Sequence, residues 1–363
     1  MKSFYCNFQL ALLLLSPLNS SGEGTNLRPA PRPSGSFEEL EIQQENIIND
    51  LVERMKPRNF FADADAAFDN TTDNTIDKII IPPKQFFHLH HMKSGGSSLN
   101  RFLGCGLRRA KSYYSTHEEH SLQLNQQRLS ECSYSYFKQC TTETDHKCNV
   151  KFADAAYMEY CAPLSATEKF GWGEADAVTM LRNPVERVWS MFRFQTKSCF
   201  KCHNLTDVYD TMDKKGMKAM KEYGGGVCLG QLTNHITRNL QSIINNDDWS
   251  DHEKDNARFI DALNNLQNRF VVVGLLDRLD ETVDLLSHSF PWLKPELEGT
   301  TDEVKCDFPH VNSSPGHNGC GEHGGHWDLP ALPDDATRMA IEDHNKLDIK
   351  LYEVAKQHFE LQL

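Results

Sequence analysis

The sequence predicts an α/β domain: a parallel sheet flanked by helices, with Cys-bearing insertions and an N-terminal stem. Two observations carry that expectation. Short apolar runs at Phe86–His90, Ala177–Leu181 and Phe270–Gly274 each lead through a turn into a helical pattern, and repeated strand-turn-helix units bring parallel strands together under helices. The segments between them, 111–165 and 195–265, are polar and carry cysteines, as insertions that set specificity do. At 363 residues, 39% hydrophobic and 25% charged, the chain has room for one such domain with attachments, and wholesale disorder is excluded.

In chain order, Lys2 precedes the apolar stretch Phe8–Leu18, broken by Pro17 and followed by Ser20, Ser21 and Gly22. A bilayer-spanning helix needs ~20 apolar residues, so residues 1–21 read as a signal peptide, with a short signal-anchor from Phe4 as the alternative. No later segment is apolar enough to span a membrane, so membrane association is expected only through an uncleaved N-terminus. Residues 22–77 form a stem. It opens with a Gly/Pro/Ser-rich linker and holds one amphipathic helix, 38–55. The stripe Leu40, Ile47, Ile48, Leu51, Val52 and Met55 suits packing on the main domain or self-association. The folded domain is placed at 78–363.

Inside it, Phe86–His90 turns through Gly and Ser into a helix at Leu99–Leu107. Ala177–Leu181 turns at Asn183-Pro184 into Val185–Phe194, and Phe270–Gly274 leads to Glu281–Phe290. A last helix is expected over Asp335–Phe359, with Leu347, Leu351 and Val354 on one face.

Charge and cysteines narrow the function. The net charge of −13 argues against a nucleic-acid partner. The charge is uneven, however: residues 81–128 hold seven Lys or Arg against two acids, and residues 182–201 hold five against one. Two basic islands in an acidic chain point to local anion sites. Beyond Cys6, the ten cysteines 105, 132, 140, 148, 161, 199, 202, 228, 306 and 320 suffice for five disulfides. Sequons at Asn19, Asn70, Asn204 and Asn312 agree with a secretory route.

The first basic island contains His90-His-Met-Lys93-Ser94-Gly95-Gly96-Ser97-Ser98 at a strand end. Two glycines let backbone curl around a ligand, Ser97 and Ser98 suit a helix cap, and the helix amides with Lys93 favour an anion. A nucleoside-triphosphatase loop needs Gly-x-x-x-x-Gly-Lys-Ser/Thr; here the lysine comes first, and no Gly-Lys pair occurs. The second island holds Arg182-Asn-Pro-Val-Glu-Arg187-Val-Trp-Ser190. An arginine fork at a strand exit and a hydroxyl two turns into the helix can reach one phosphate. Alone, Arg182–Glu186 would read as a surface ion pair at a helix start.

Together these residues resemble the sulfotransferases that use 3′-phosphoadenosine 5′-phosphosulfate (PAPS), above all Golgi carbohydrate sulfotransferases. The Lys-Ser-Gly-Gly-Ser-Ser loop is similar to the family's 5′-phosphosulfate loop, and Arg182 with Ser190 to its 3′-phosphate motif. Heparan sulfate 6-O-sulfotransferases are the nearest resemblance, through His90, Lys93, the pair Asn312-Ser313, Asn234-His-Ile-Thr-Arg238, and Asn345-x-Leu-Asp-x-x-Leu-Tyr352 with Lys356 and Phe359. The resemblance implies a P-loop-like sheet, a Golgi lumenal location, PAPS as donor, a glycan or polysaccharide acceptor, and no requirement for a metal. It implies donor contacts from His90, Ser94, Gly95, Gly96, Ser97, Ser98, Arg182, Ser190, Asn312 and Ser313. Where that family carries a His-Ala-Asp segment, this chain reads Phe152-Ala153-Asp154. Phe152 takes no proton, which leaves Asp154, Glu159, His91, His117 and His120 as bases. The residues carried forward as catalytic candidates are Lys93 and, of these five bases, which the sequence does not rank, Asp154.

Other chemistries fit less well. Cys199-x-x-Cys202-His203 has c-type haem spacing without a supporting methionine context. Cys320-x-x-His323-x-x-His326 has ligands for zinc, for which a Cys306–Cys320 disulfide is the simpler use. A P-loop nucleotide kinase and a non-catalytic PAP-binding protein of the same fold are the competing classes.

Overall fold

The computed structural model describes residues 86–116, 128–131, 157–160, 164, 173, 175–196, 199–200, 203–216, 229–241, 255–290, 293, 308 and 329–363. All of them fall in the compact unit Met55–Leu363. The signal segment, the stem with its 38–55 helix, and the domain boundary at 78 lie outside the described residues, as do eight of the ten cysteines. Cys105 and Cys199 are described.

Five strands, β1 (Phe86–Leu89), β2 (Arg128–Glu131), β3 (Tyr157–Tyr160), β4 (Asp176–Leu181) and β5 (Val272–Leu275), make one parallel sheet in the order β2-β3-β1-β4-β5. Parallel pairing demands a crossover after each strand. Of the described helices, α1 (Gly96–Thr116) lies between β1 and β2, α2 (Pro184–Gln195), α3 (Leu205–Lys215), α4 (His235–Asn239) and α5 (Asp255–Asn268) lie between β4 and β5, and α6 (Leu279–Ser289) follows β5. Two more, α7 (Asp335–His344) and α8 (Lys346–Gln362), close the chain. The expected α/β class and parallel sheet are therefore present. Among the described residues no helix is long and apolar enough to cross a membrane.

The three foreseen units are β1–α1, β4–α2 and β5–α6. The strands β1, β4 and β5 are mostly apolar and buried almost throughout, as in a sheet covered by helices. Phe86, Phe87, Leu89, Ala177, Val178, Leu181, Val272, Val273 and Leu275 are fully buried, and each large side chain contributes ~1.5–3 kcal/mol. The ring of Phe290, just past α6, meets Phe86 edge-on at 5.0 Å.

Three expectations need correction. The segment 111–165 also continues the sheet, through β2 and β3. Ser97 and Ser98 do not precede α1 as caps. They sit in its first turn, and the Gly95 carbonyl accepts the opening bonds from Ser98 N (3.0 Å) and Leu99 N (3.0 Å). The last helix is two helices broken at Asn345, and in α8 the half-exposed Leu347 yields its core place to Asp348.

The break has a physical cause. Asn345 is fully buried; its side chain accepts from Asn234 N (2.9 Å) and donates to the carbonyls of Leu232 (2.8 Å) and Ile341 (2.9 Å). In return Asn234, at φ 38, accepts from Leu347 N (3.1 Å) and Asp348 N (3.2 Å). Asp348 then caps the short α4: its carboxylate accepts from Ile236 N (3.0 Å), Thr237 N (2.8 Å) and Thr237 Oγ1 (2.8 Å). The Asn234 and Asn345 segments, 111 residues apart, thus form one clamp that anchors α8, which also packs on β5, α5 and α2.

Candidate functional site

The sheet topology fixes where a ligand belongs. From β1 the chain crosses to the β2 edge, whereas from β4 it steps to β5 on the other side. Ligands of open α/β sheets bind outside the carboxyl ends of strands at such a reversal. Leu89 of β1 lies beside Thr179 of β4, and Leu181 lies beside Leu275 of β5. Both basic islands emerge at this reversal: 90–95 after β1 and Arg182-Asn183 after β4.

Local sequence builds each piece. Lys93 (φ 67) and Gly95 (φ 78) turn the loop back on itself, closed by Ser94 N donating to the His91 carbonyl (3.2 Å). A Cβ on Gly95 would stand 2.7 Å from Leu276 Cδ1 and 2.9 Å from Met180 Sδ; one on Gly96 would stand 1.9 Å from His90 Cδ2. These glycines therefore admit close packing of the loop on β4, on the β5 exit and on the His90 ring. On the other side, Asn183 Oδ1 accepts from Val185 N (3.0 Å) and Glu186 N (3.3 Å), and Pro184 occupies the first turn of α2.

The islands meet. Arg182 donates through Nη1 to the Lys93 carbonyl at 3.5 Å and pairs with Glu186 Oε2 through Nε (3.2 Å) and Nη2 (3.0 Å). The Lys93 amine lies 4.7 Å from the centre of the Phe194 ring. Glu186, Ser190 and Phe194 recur every four residues, so they share one face of α2. Arg182 engages one end of that face, Lys93 the other, and half-exposed Ser190 lies between. Burial first, then the nearby Arg182 and Arg193, hold the Lys93 pKa below that of an ordinary lysine.

Behind the loop Arg187 lies with two histidines, a grouping of which sequence spacing gave no signal. Arg187 is fully buried; it donates through Nη2 to the Gln231 carbonyl (2.9 Å), while Nε and Nη1 have no partner. Its pKa is lowered chiefly by burial and raised in part by Asp348. His91, fully buried with both ring nitrogens unpartnered, faces His235 edge-on at 6.3 Å. Burial, then Arg187 and His90, lower the His91 pKa to about 3; burial and Arg187 also lead in depressing His235. So low a pKa and full burial make His91 a weak candidate for the base. Ser94 Oγ is likewise buried and unpartnered.

These histidines carry a pH prediction. An unfolded chain protonates them near their ordinary pKa while the native state does not, so native stability falls as pH drops below about 6.5. From pH 7 to 5, His91 alone is expected to remove about 2 kcal/mol of stability. Urea unfolding at the two pH values checks this, and a His91→Gln variant should show a smaller loss on acidification.

His90, Lys93, Ser94, Gly95, Gly96, Ser97, Ser98 and Arg182 therefore follow the ends of the adjacent strands β1 and β4, and Ser190 stands nearly two turns along α2. Asp154, His117, His120, Asn312 and Ser313 lie outside the described residues. Glu159 lies on β3, in register with His88 and Ser130. His203 is exposed, whereas its haem-motif companion Cys199 is in the core with Phe192 and Phe200. Cys202 and the zinc-spaced Cys320, His323 and His326 lie outside the described residues. Among those described, no group of three or more His, Cys, Asp or Glu could hold a metal ion. The sequon residue Asn204 is exposed at the start of α3. No protein-family model and no curated protein matches the chain.

Proposed function

We propose that the protein is a sulfotransferase of the secretory pathway that moves a sulfuryl group from PAPS to a hydroxyl of a carbohydrate. The observation that carries this is the meeting of the two islands: the Arg182 guanidinium touches the Lys93 backbone, and both flank Ser190. A donor with one phosphosulfate end and one 3′-phosphate end needs two separate cationic sites within one crevice. The residues present suit it. The α1 amides, Lys93 and the unpartnered Ser94 hydroxyl serve the 5′ end, with the glycines permitting close approach. Arg182 and Ser190 serve the 3′-phosphate, for which Glu186 acts as the resident carboxylate on Arg182 and must release it.

The reaction forms a bond from the acceptor oxygen to sulfur and breaks the bond from sulfur to the bridging phosphate oxygen; the hydroxyl proton passes to a base. Lys93 would stabilise the charge that grows on the departing phosphate, a preorganised electrostatic contribution. Asp154 is the proposed base. At the β4 exit stands Arg182, a cation where a magnesium-bound triphosphate would call for a carboxylate, which favours a metal-independent donor over a nucleotide kinase. The cysteines and sequons support a Golgi lumenal setting, and a heparan-sulfate-like chain is the first acceptor to try.

Transfer of label from PAPS to a panel of polysaccharides, with and without EDTA, tests the proposal. Transfer that survives EDTA supports it. Binding of PAP without transfer indicates the non-catalytic alternative, and magnesium-dependent ATP turnover indicates a kinase. Arg182→Ala is expected to weaken binding of 3′-phosphorylated nucleotide by roughly 10–100-fold, the loss of charge-assisted hydrogen bonds, with little effect on 5′-AMP. Equal losses for both ligands, measured by calorimetry, would contradict the assigned role.

A further inference from the structure

Phe194 occupies the last turn of α2 and, at 51% exposure, turns a large aromatic ring to solvent. The ring has a neighbour: Lys93 Nζ at 4.7 Å from its centroid, inside the ~6 Å range of a cation–π contact. The backbone brings the amine there, because Lys93 takes a positive φ and its carbonyl is held by Arg182. A non-glycine residue in that conformation is uncommon, and such backbone conformations cluster at functional sites.

We propose that Phe194 is a positioning residue for the Lys93 amine: its exposed ring holds the ammonium on the α2 face that carries Ser190. Among the described residues, the charged groups acting on the amine include Arg182 at the β4 exit and Arg193 on α2, with Glu186 on the same helix paired to Arg182; His90 and His91 belong to its own loop. Arg182 and Arg193 disfavour the charged form, and Glu186 is engaged by Arg182. The electron-rich face of Phe194 acts in the opposite direction, without the desolvation that a second carboxylate would bring.

The inference rests on the proposed function only for its catalytic consequence, so its test has a readout that needs no activity. Lys93 in the full chain is acylated with acetic anhydride across a pH series, and its modified peptide is quantified by mass spectrometry. Phe194→Leu, which keeps the bulk and removes the π face, is expected to move the Lys93 titration to lower pH by about half a pH unit. Phe194→Trp is expected to restore it or move it upward. A titration unmoved by Phe194→Leu overturns the proposal even if sulfuryl transfer is established. A shift with no transfer in any variant upholds the proposal and removes the enzymatic assignment. Where transfer is measured, the alkaline limb of kcat should move with the titration; an unmoved limb overturns the role of Phe194.

Discussion

Lys93→Ala is expected to lower sulfuryl-transfer turnover by roughly 10²–10³-fold, with a much smaller change in nucleotide affinity. The asymmetry follows from where the amine stands. The amine lies 4.7 Å from the centre of the Phe194 ring, on the α2 face that also carries Ser190. On the proposed function, the α1 amides and Arg182 would still hold the two ends of the donor in the ground state. Only when the S–O bond breaks does charge concentrate on the bridging oxygen, and there the missing ammonium counts most. Lys93→Arg should not restore the rate, because a planar fork does not replace a compact point charge on a four-carbon stem. Single-turnover kinetics with labelled donor, alongside calorimetric affinities, check this. A variant that turns over at a near-normal rate removes Lys93 from the chemistry.

The second large effect concerns stability. Asp348→Ala should destabilise the domain by roughly 3–5 kcal/mol, since buried donors left unpaired cost ~1–3 kcal/mol each. Three lose their acceptor: Ile236 N, Thr237 N and Thr237 Oγ1. Arg187, fully buried, also loses the carboxylate that favours its charged form. Asp348→Asn keeps one acceptor oxygen and should lose about half as much. In thermal unfolding the alanine variant is expected to melt about 10 °C lower. An unchanged midpoint would show that the clamp between α4 and α8 contributes nothing to stability.

What the sequence disclosed depended on whether a signal was local. The β1, β4 and β5 strands were legible because each is a contiguous apolar run followed by turn chemistry, Gly95-Gly96 in one case and Asn183-Pro184 in another. The strands β2 and β3 were not. Arg128-Leu-Ser-Glu131 and Tyr157-Met-Glu-Tyr160 are four residues long and carry charges, and only pairing with one another and with β1 makes them strands. The break at Asn345 was also hidden, because apolar spacing continues across it from Ile341 to Leu351. Its cause is a set of hydrogen bonds to residues more than 100 positions away.

The same distinction runs through the site. Lys93, the glycines and Arg182 were legible as compact motifs, and the fold brings the two segments into contact. Assigning caps to Ser97 and Ser98 failed because two glycines allow the turn to finish earlier, at Gly95. Arg187 stood in the second motif between Arg182 and Ser190 with no role of its own assigned. Its full burial beside His91 and His235 arises only when β1 and β4 stand next to each other. Phe194, a lone exposed aromatic in sequence, acquires meaning from the loop that folds over it.

Calorimetric titration of the full chain with PAP and with 5′-AMP, in the presence of EDTA, tests the convergence of the two cationic islands most directly. The account predicts metal-independent binding of PAP, tighter than 5′-AMP by roughly 10–100-fold, as one added charge-assisted contact set supplies. Equal affinity for the two nucleotides, or binding that appears only when magnesium is restored, would contradict it.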